Sequence, residues 1–223
     1  MTPVVLMCGG KGERLHALTR HTPKPMLPVG DKPMIESLIE TFRDQGFRKF
    51  WLCVHYKAEM IEGYFGNGSR WGVKIGYTHE KEPLGTAGAL RLLPKFNVPF
   101  IVQNADILTR ISYGELMTHH GQSNAPATMC LALHQHQIEF GVADVEDGRL
   151  VRIREKPIEN YYVNAGIYVL DPKALEQLPP EGPCDMPDLI GKLDPVSAYP
   201  IHDYWRDLGR FEDLERARQE WRG

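Results

Sequence analysis

The 223-residue chain has no apolar run near the roughly 20 residues that a membrane span requires. It opens directly into a short apolar strand, Val4-Val5-Leu6-Met7, without the charged-then-apolar layout of a secretory leader. It has no basic excess either: 26 Lys and Arg against 29 Asp and Glu give a net charge of −3. That balance argues against a nucleic-acid coat or a binder of anionic membranes. Cysteine is sparse, and Cys8, Cys53, Cys130 and Cys184 lie far apart with neither a Cys-x-x-Cys pair nor zinc spacing. They read as reduced, buried thiols. No internal repeat or low-complexity tract is visible, and Asn67-Gly68-Ser69 reads as a tight turn. These absences point to a cytoplasmic protein with no nucleic-acid or membrane partner, its oligomeric state left open.

What is present is enough apolar residue, 42%, to bury one sizeable core, so residues 1–223 are expected to form a single domain. The first strand runs into Cys8-Gly9-Gly10-Lys11-Gly12-Glu13-Arg14-Leu15, three glycines within four positions followed by a cation. A turn so poor in side chains lets backbone N–H groups approach an anion closely. The P-loop pattern fails because Gly12, not Ser or Thr, follows Lys11, and the dinucleotide pattern fails at Leu15. Further on, Pro23-Lys24-Pro25 restricts the backbone on both sides of one lysine, which suits a cation held in a set place. The segment reads as a triphosphate-binding loop with Arg14 and Lys24 as its cations.

Strand and helix patterns alternate along the rest. A helix is expected from Pro33 at its first position, with Met34, Ile35, Leu38, Ile39 and Phe42 on one face up to Gly46. Strands follow at 49–54 and 73–77, around a helix at 58–65 with Met60, Ile61, Tyr64 and Phe65 inward. The alternation predicts an α/β fold, a Rossmann-like three-layer sandwich with a mixed, mostly parallel central sheet. A strand at 99–103 ends at Asn104-Ala105-Asp106, which puts the Asp106 carboxylate in the crevice where open α/β sheets bind ligands. The second acid of an Asp-x-Asp motif is missing, since Asn104 stands there. Ser112 is expected to cap a helix, and Asp185 another. His134 and His136 share a strand face, but no further ligand stands nearby and solvated residues are the expectation. Residues 140–145 and 150–154 read as a hairpin joined by Asp147-Gly148, and 210–221 as an amphipathic helix with Phe211, Leu214 and Ala217 on one side.

The glycine turn with Pro23-Lys24-Pro25-Met26-Leu27-Pro28-Val29 resembles the signature of the sugar-1-phosphate nucleotidyltransferases, the nucleoside-diphosphate-sugar pyrophosphorylases. It departs from that signature at Met7-Cys8, Glu13 and Ala17. The resemblance continues through Glu82-Pro83-Leu84-Gly85-Thr86-Ala87-Gly88-Ala89, then Phe140-Gly141-Val142, Glu155-Lys156-Pro157, Asn164-Ala165-Gly166-Ile167-Tyr168 and Trp205-Arg206-Asp207-Leu208-Gly209.

The resemblance implies a nucleotide site at Met7, Cys8, Gly9, Gly10, Gly12, Glu82, Pro83, Gly85 and Thr86. It implies contacts to the sugar from Asn104, Gly141, Glu155 and Asn164, with Lys156 on the sugar phosphate. Asp106 and Asp207 would hold Mg²⁺, Arg14 would steady the β- and γ-phosphates, and Lys24 the α-phosphoryl group. The implied reaction joins an NTP and a sugar 1-phosphate into an NDP-sugar and pyrophosphate. The wording of residues 82–89 is most similar to members that use GTP, and Tyr113-Gly114-Glu115-Leu116 with Asp185-Met186-Pro187-Asp188-Leu189 is similar to guanylyltransferases of surface-polysaccharide and nonulosonic-acid pathways. A UTP enzyme for an amino-sugar phosphate and a non-catalytic nucleotide-sugar-binding regulatory subunit are the alternatives. Mannose, heptose and amino-sugar phosphates all remain open. Larger relatives continue into a β-helix or regulatory domains, and this chain is expected to be the catalytic domain alone.

Overall fold

The computed structural model describes residues 1–221, apart from the side chains of Glu13 and His16. In chain order the strands and helices begin with β1 (Pro3–Met7), α1 (His16–Thr19), β2 (Pro28–Val29), β3 (Lys32–Pro33), α2 (Met34–Asp44), β4 (Lys49–Val54) and α3 (Ala58–Phe65). Next come β5 (Lys74–His79), α4 (Gly85–Gly88), β6 (Phe100–Asn104), β7 (Ile107–Thr109), α5 (Tyr113–Ser123) and β8 (Ala127–Gln137). The chain closes with β9 (Val142–Glu146), β10 (Arg149–Arg154), β11 (Ile158–Leu170), α6 (Met186–Ile190), β12 (Val196–Ile201), β13 (Trp205–Asp207) and α7 (Phe211–Glu220).

Seven strands form one sheet in the order β12-β8-β11-β6-β1-β4-β5. Only β11 opposes its neighbours; the β6-β1-β4-β5 half is wholly parallel. The central strands are apolar on both faces because both are covered. Val4 and Leu6 pack with Ile35, Leu38, Phe42, Ile61 and Leu116 on one side. Val5 packs with Ala87, Leu90, Met186 and Leu189 on the other. The three-layer α/β arrangement expected from the alternation is the one observed. A third, smaller cluster joins Leu15, Leu27, Val29 and Met34 to Leu108, Leu208, Leu214 and Ala217. It ties the glycine turn to β7, β13 and α7.

Strand order places the site. From β1 the chain builds outward to β4 and β5, then returns to lay β6 on the other side of β1. Connections leave β1 and β6 in opposite directions, which opens a crevice at their C-terminal ends. Met7 and Asn104, the last residues of the two strands, are partners in register there.

Some local expectations shift. Pro33 precedes α2 rather than opening it: its ψ of 143° is extended because Lys32–Pro33 pair with Pro28–Val29. Met60 is exposed, and Ile61 and Phe65, one turn apart, are the buried residues of α3. The strand expected at 73–77 is β5, which begins at Lys74 and runs on to His79. Residues Pro172–Gln177 form a 3₁₀ helix. Ser112 caps α5 as expected, its hydroxyl accepting from the Glu115 amide at 3.2 Å. The 142–154 hairpin turns at Asp147-Gly148, both with positive φ, as a primed turn requires.

Candidate active site

The crevice is a cleft of about 250 Å³ lined by Met7–Gly10, Lys24, Pro25, Glu80, Pro83, Gly85, Thr86 and Asn104–Asp106. Its floor is the glycine turn. The Cys8 amide continues the parallel ladder to the Cys53 carbonyl at 2.8 Å, and the chain then leaves the sheet until the Leu15 amide closes on the Gly12 carbonyl at 2.9 Å. Gly12 has φ +65°, and a Cβ there would stand 2.8 Å from the Thr19 methyl and 3.2 Å from Lys24 Cβ. Glycine is required twice over, by backbone conformation and by the approach of Lys24. Gly10 is exposed with open space where a side chain would stand.

Lys24 begins a 3₁₀ turn, with Pro23 extended before it and the Leu27 amide closing on the Lys24 carbonyl at 3.0 Å. Its ammonium, 8% exposed with its residue, is hydrogen-bonded to the carboxylate of Asp106. Asp106 is held by the chain itself: the Ala105 amide donates to the Met7 carbonyl at 3.2 Å, and the Leu208 amide to the Asp106 carbonyl at 2.9 Å. Just before it, buried Gln103 donates to the Ile107 carbonyl and accepts from the Tyr113 hydroxyl at 2.7 Å, which fixes the turn out of β6.

The antiparallel pairing of β7 with β13 sets Asp207 opposite Ile107, next to Asp106. The Gly209 amide donates to Asp207 Oδ1 at 2.7 Å. Burial first, and then the charge of Asp106, push the Asp207 carboxyl above its usual range, against the opposing pull of Lys24, the Gly209 amide and Arg14. Arg14 stands close by, since a Cβ at Gly209 would lie 3.0 Å from Asp207 Oδ1 and 3.1 Å from an Arg14 guanidinium nitrogen. Residues 14, 24, 106 and 207 therefore assemble at one end of the cleft: two cations, two carboxylates and a glycine turn.

No group of three or more His, Cys, Asp and Glu side chains poised for a metal is found among the described residues. His134 and His136 are exposed on β8. The Asp106 and Asp207 pair still suits Mg²⁺, which takes one or two carboxylates and fills its octahedron with phosphate oxygens and water. Burial is the main reason that Asp207 holds its proton more tightly, with the neighbouring Asp106 charge second.

The structure brings only part of the expected nucleotide and sugar set together. Met7, Cys8, Gly9, Gly10, Pro83, Gly85, Thr86 and Asn104 line the cleft; Gly12, turned against Thr19 and Lys24, and the exposed Glu82 do not. Thr86 has another duty: its amide donates to Asp185 Oδ1 at 3.0 Å, and its hydroxyl accepts from the Met186 amide at 2.7 Å. Asp185, expected to cap its own helix, makes no such bond there and holds α4 to α6 instead. Gly85, with φ +77°, is glycine because a Cβ would strike the Cys184 carbonyl at 2.6 Å. Gly141 and Glu155 adjoin one another, a Cβ at Gly141 lying 3.0 Å from Glu155 Oε2. They, Lys156 and Asn164 are exposed and lie outside the cleft lining, on the segments that β8 and β11 carry beyond the core. Asn164 bonds instead to the Gly166 amide at 3.0 Å and the Tyr168 hydroxyl at 2.8 Å.

Three cleft residues went unassigned in the sequence, Pro25, Glu80 and Ala105. Glu80 follows the end of a parallel strand, the same signal that singled out Asp106. The four cysteines are free and buried; burial pushes Cys8 well up and Cys53 to about 12.

The chain is an open, mostly parallel α/β sheet that brings a glycine turn, a buried lysine and two carboxylates together at its switch point, where sheets of this kind bind ligands. Residues 3–222 match the model of the family described as Nucleotidyl transferase, and the chain belongs to that family. It is 33% identical over 222 residues to a mannose-1-phosphate guanyltransferase of Yarrowia lipolytica, covering 94% of this chain and 61% of that one. It is 30% identical over 238 residues to a UTP--glucose-1-phosphate uridylyltransferase of Synechocystis, covering 96% and 61%. The chain thus spans about three-fifths of the length of these curated relatives. Among solved structures it superposes on HddC from Yersinia pseudotuberculosis complexed with GMP-PN, with a TM-score of 0.76, 25% identity and full coverage of both chains. No helix among the described residues is long and apolar enough to cross a membrane.

Proposed function

We propose that the chain is a sugar-1-phosphate guanylyltransferase, joining GTP and a sugar 1-phosphate into a GDP-sugar with release of pyrophosphate. The observation that carries this reading is the Lys24–Asp106 pair beside Asp207 under the glycine turn. The guanylyltransferase names among the relatives and the GMP-PN complex of HddC support the choice of base.

An oxygen of the sugar phosphate attacks the α-phosphorus of GTP; the new O–P bond forms as the bond to the β-phosphate oxygen breaks and pyrophosphate leaves with that electron pair. The nucleophile is already an anion, so no proton has to move and the residues act by position and charge. The glycine turn and Arg14 hold the β- and γ-phosphates, and Lys24 faces the α-phosphoryl group. Asp106 and Asp207 would hold Mg²⁺, which neutralises the phosphate charge when bound. Glu155, Asn164, Asn104 and the Gly141 backbone are assigned to sugar hydroxyls and Lys156 to the sugar phosphate, a role that requires the β9–β10 segment to meet the bound sugar. The buried reduced thiols accord with a cytoplasmic setting.

A matrix of five NTPs against a panel of sugar 1-phosphates, read by pyrophosphate release with Mg²⁺, tests the proposal. Turnover greatest with GTP supports it. Greatest turnover with UTP overturns the base, and no release with any pair overturns the reaction.

A further inference from the structure

The β9–β10 hairpin is built inside out. Residues directly opposed across two antiparallel strands share a face. The register therefore sets Ala143, Val145, Leu150 and Ile153 on one face and Val142, Asp144, Arg152 and Arg154 on the other, with a bulge at Val151 keeping the two sets apart. An antiparallel sheet with one solvated face ordinarily turns its apolar side inward. Here the charged face turns toward the protein: Arg154 reaches Glu159 on β11 at 2.5 Å, and Val142, Asp144 and Arg154 are half-buried. All four residues of the apolar face are exposed, Val145 and Leu150 at 60% and Ile153 at 61%. Nine of the fourteen exposed large apolar side chains among the described residues lie between positions 133 and 162, so the bare surface is concentrated on this arm. Single exposed apolar residues need no explanation, but a concentration rimmed by charge marks a contact surface.

Among the described residues β9 and β10 pair with no other strand, and a two-stranded hairpin alone is marginal in water. A cover over the apolar face would stabilise it. A bound sugar is too small, since Leu150 lies five residues from Glu155, about 16 Å along the strand. An anionic lipid surface calls for a basic excess, whereas residues 139–156 carry five acids and four bases. That near-even balance suits a patch that meets itself, where each sign finds its opposite across the contact. A standard interface takes about 800 Å² from each partner, and the arm's bare side chains, on the order of 100 Å² each, can supply it. We propose that a second copy of this chain covers the apolar face, the two hairpins stacking face to face about a two-fold axis as an aligned sandwich.

Sedimentation equilibrium of the whole protein between about 1 and 100 µM tests this. The wild type is expected to reach twice the 25.4 kDa of one chain, with a Kd in the micromolar range or below. Leu150→Glu puts a carboxylate at the centre of the contact and should raise that Kd by at least about 30-fold. Circular dichroism and melting of this variant should match the wild type, because the side chain is exposed in the single chain. Arg152→Ala, on the opposite face, should leave the Kd within about threefold. A wild type that stays monomeric throughout, a Leu150→Glu variant that dimerises like the wild type, or an Arg152→Ala variant that loses the dimer equally overturns the proposal. So does a monomeric wild type that co-sediments with phosphatidylglycerol vesicles, which would make the cover a lipid surface. If Leu150→Glu does not fold, Leu150→Thr replaces it with a residue suited to a strand, and an unchanged Kd there overturns the proposal as well.

Discussion

The amide of Leu208 donates to the carbonyl of Asp106 at 2.9 Å, a bond between residues a hundred positions apart that holds two carboxylates side by side. Without it and the three-residue ladder it extends, β7 with β13, Asp207 would belong to a surface loop.

Asp207→Asn is expected to raise stability and abolish activity. Its folded-state carboxyl titrates above its usual range, so the proton is held more tightly in the folded protein. That contribution is fully present below the usual carboxylate value and is lost as pH rises through the raised one, leaving the ionised group unfavourable at neutral pH. Asparagine keeps an oxygen for the Gly209 amide and removes the charge. Melting at pH 7 without Mg²⁺ should move up by about 1–3 °C in the variant. The gap should narrow at acid pH, and Mg²⁺ should raise the wild-type midpoint only.

Lys24→Ala should lower turnover by on the order of a hundredfold or more, since one fixed cation at a developing phosphoryl charge is worth about that much. Pyrophosphate release at saturating GTP and Mg²⁺ measures it. Near-wild-type turnover would remove Lys24 from the chemistry. Lys24→Arg should rescue poorly, because a wide planar guanidinium replaces the compact ammonium that meets Asp106 in a buried position.

Gly85→Ala should destabilise by roughly 1–3 kcal/mol, through positive φ and collision with the Cys184 carbonyl. Thr86→Val should cost a similar roughly 1–3 kcal/mol by stranding the Met186 amide. Urea denaturation reads both. If Thr86→Val changed nucleotide affinity with no loss of stability, Thr86 would be a ligand contact and not a clamp.

All four thiols should resist alkylation in the native protein at pH 8 and react fully in denaturant. Burial keeps each inaccessible and, at Cys8, Cys53 and Cys130, raises the pKa so that little thiolate forms. Native mass spectrometry after iodoacetamide counts the labels, and rapid native labelling of Cys8 would show the floor of the cleft to be open.

Features set by short-range chemistry were legible in the residue order. Val4–Met7 read as a buried strand, the three glycines after it as a turn that lets the backbone approach an anion, and Asp106 followed from the rule for strand ends. Asp207 was placed by its resemblance to a motif, because nothing local to Trp205–Asp207 says that it pairs with β7. Glu82 and Glu80 show the limit most clearly. Two carboxylates two positions apart beside one proline read alike as text, yet one is exposed and the other lies in the cleft. Which one turned inward depended on the Leu84 amide curling back to Glu80 and on space left by Gly9, a residue of another strand's turn. The amino-acid order alone determined the layers, the turns and the one cation between prolines, Lys24, since these depend on periodicity and backbone sterics. Tertiary structure alone decided which acids converge and which glycines serve packing, because those outcomes depend on contacts between segments that only the closed sheet brings within reach.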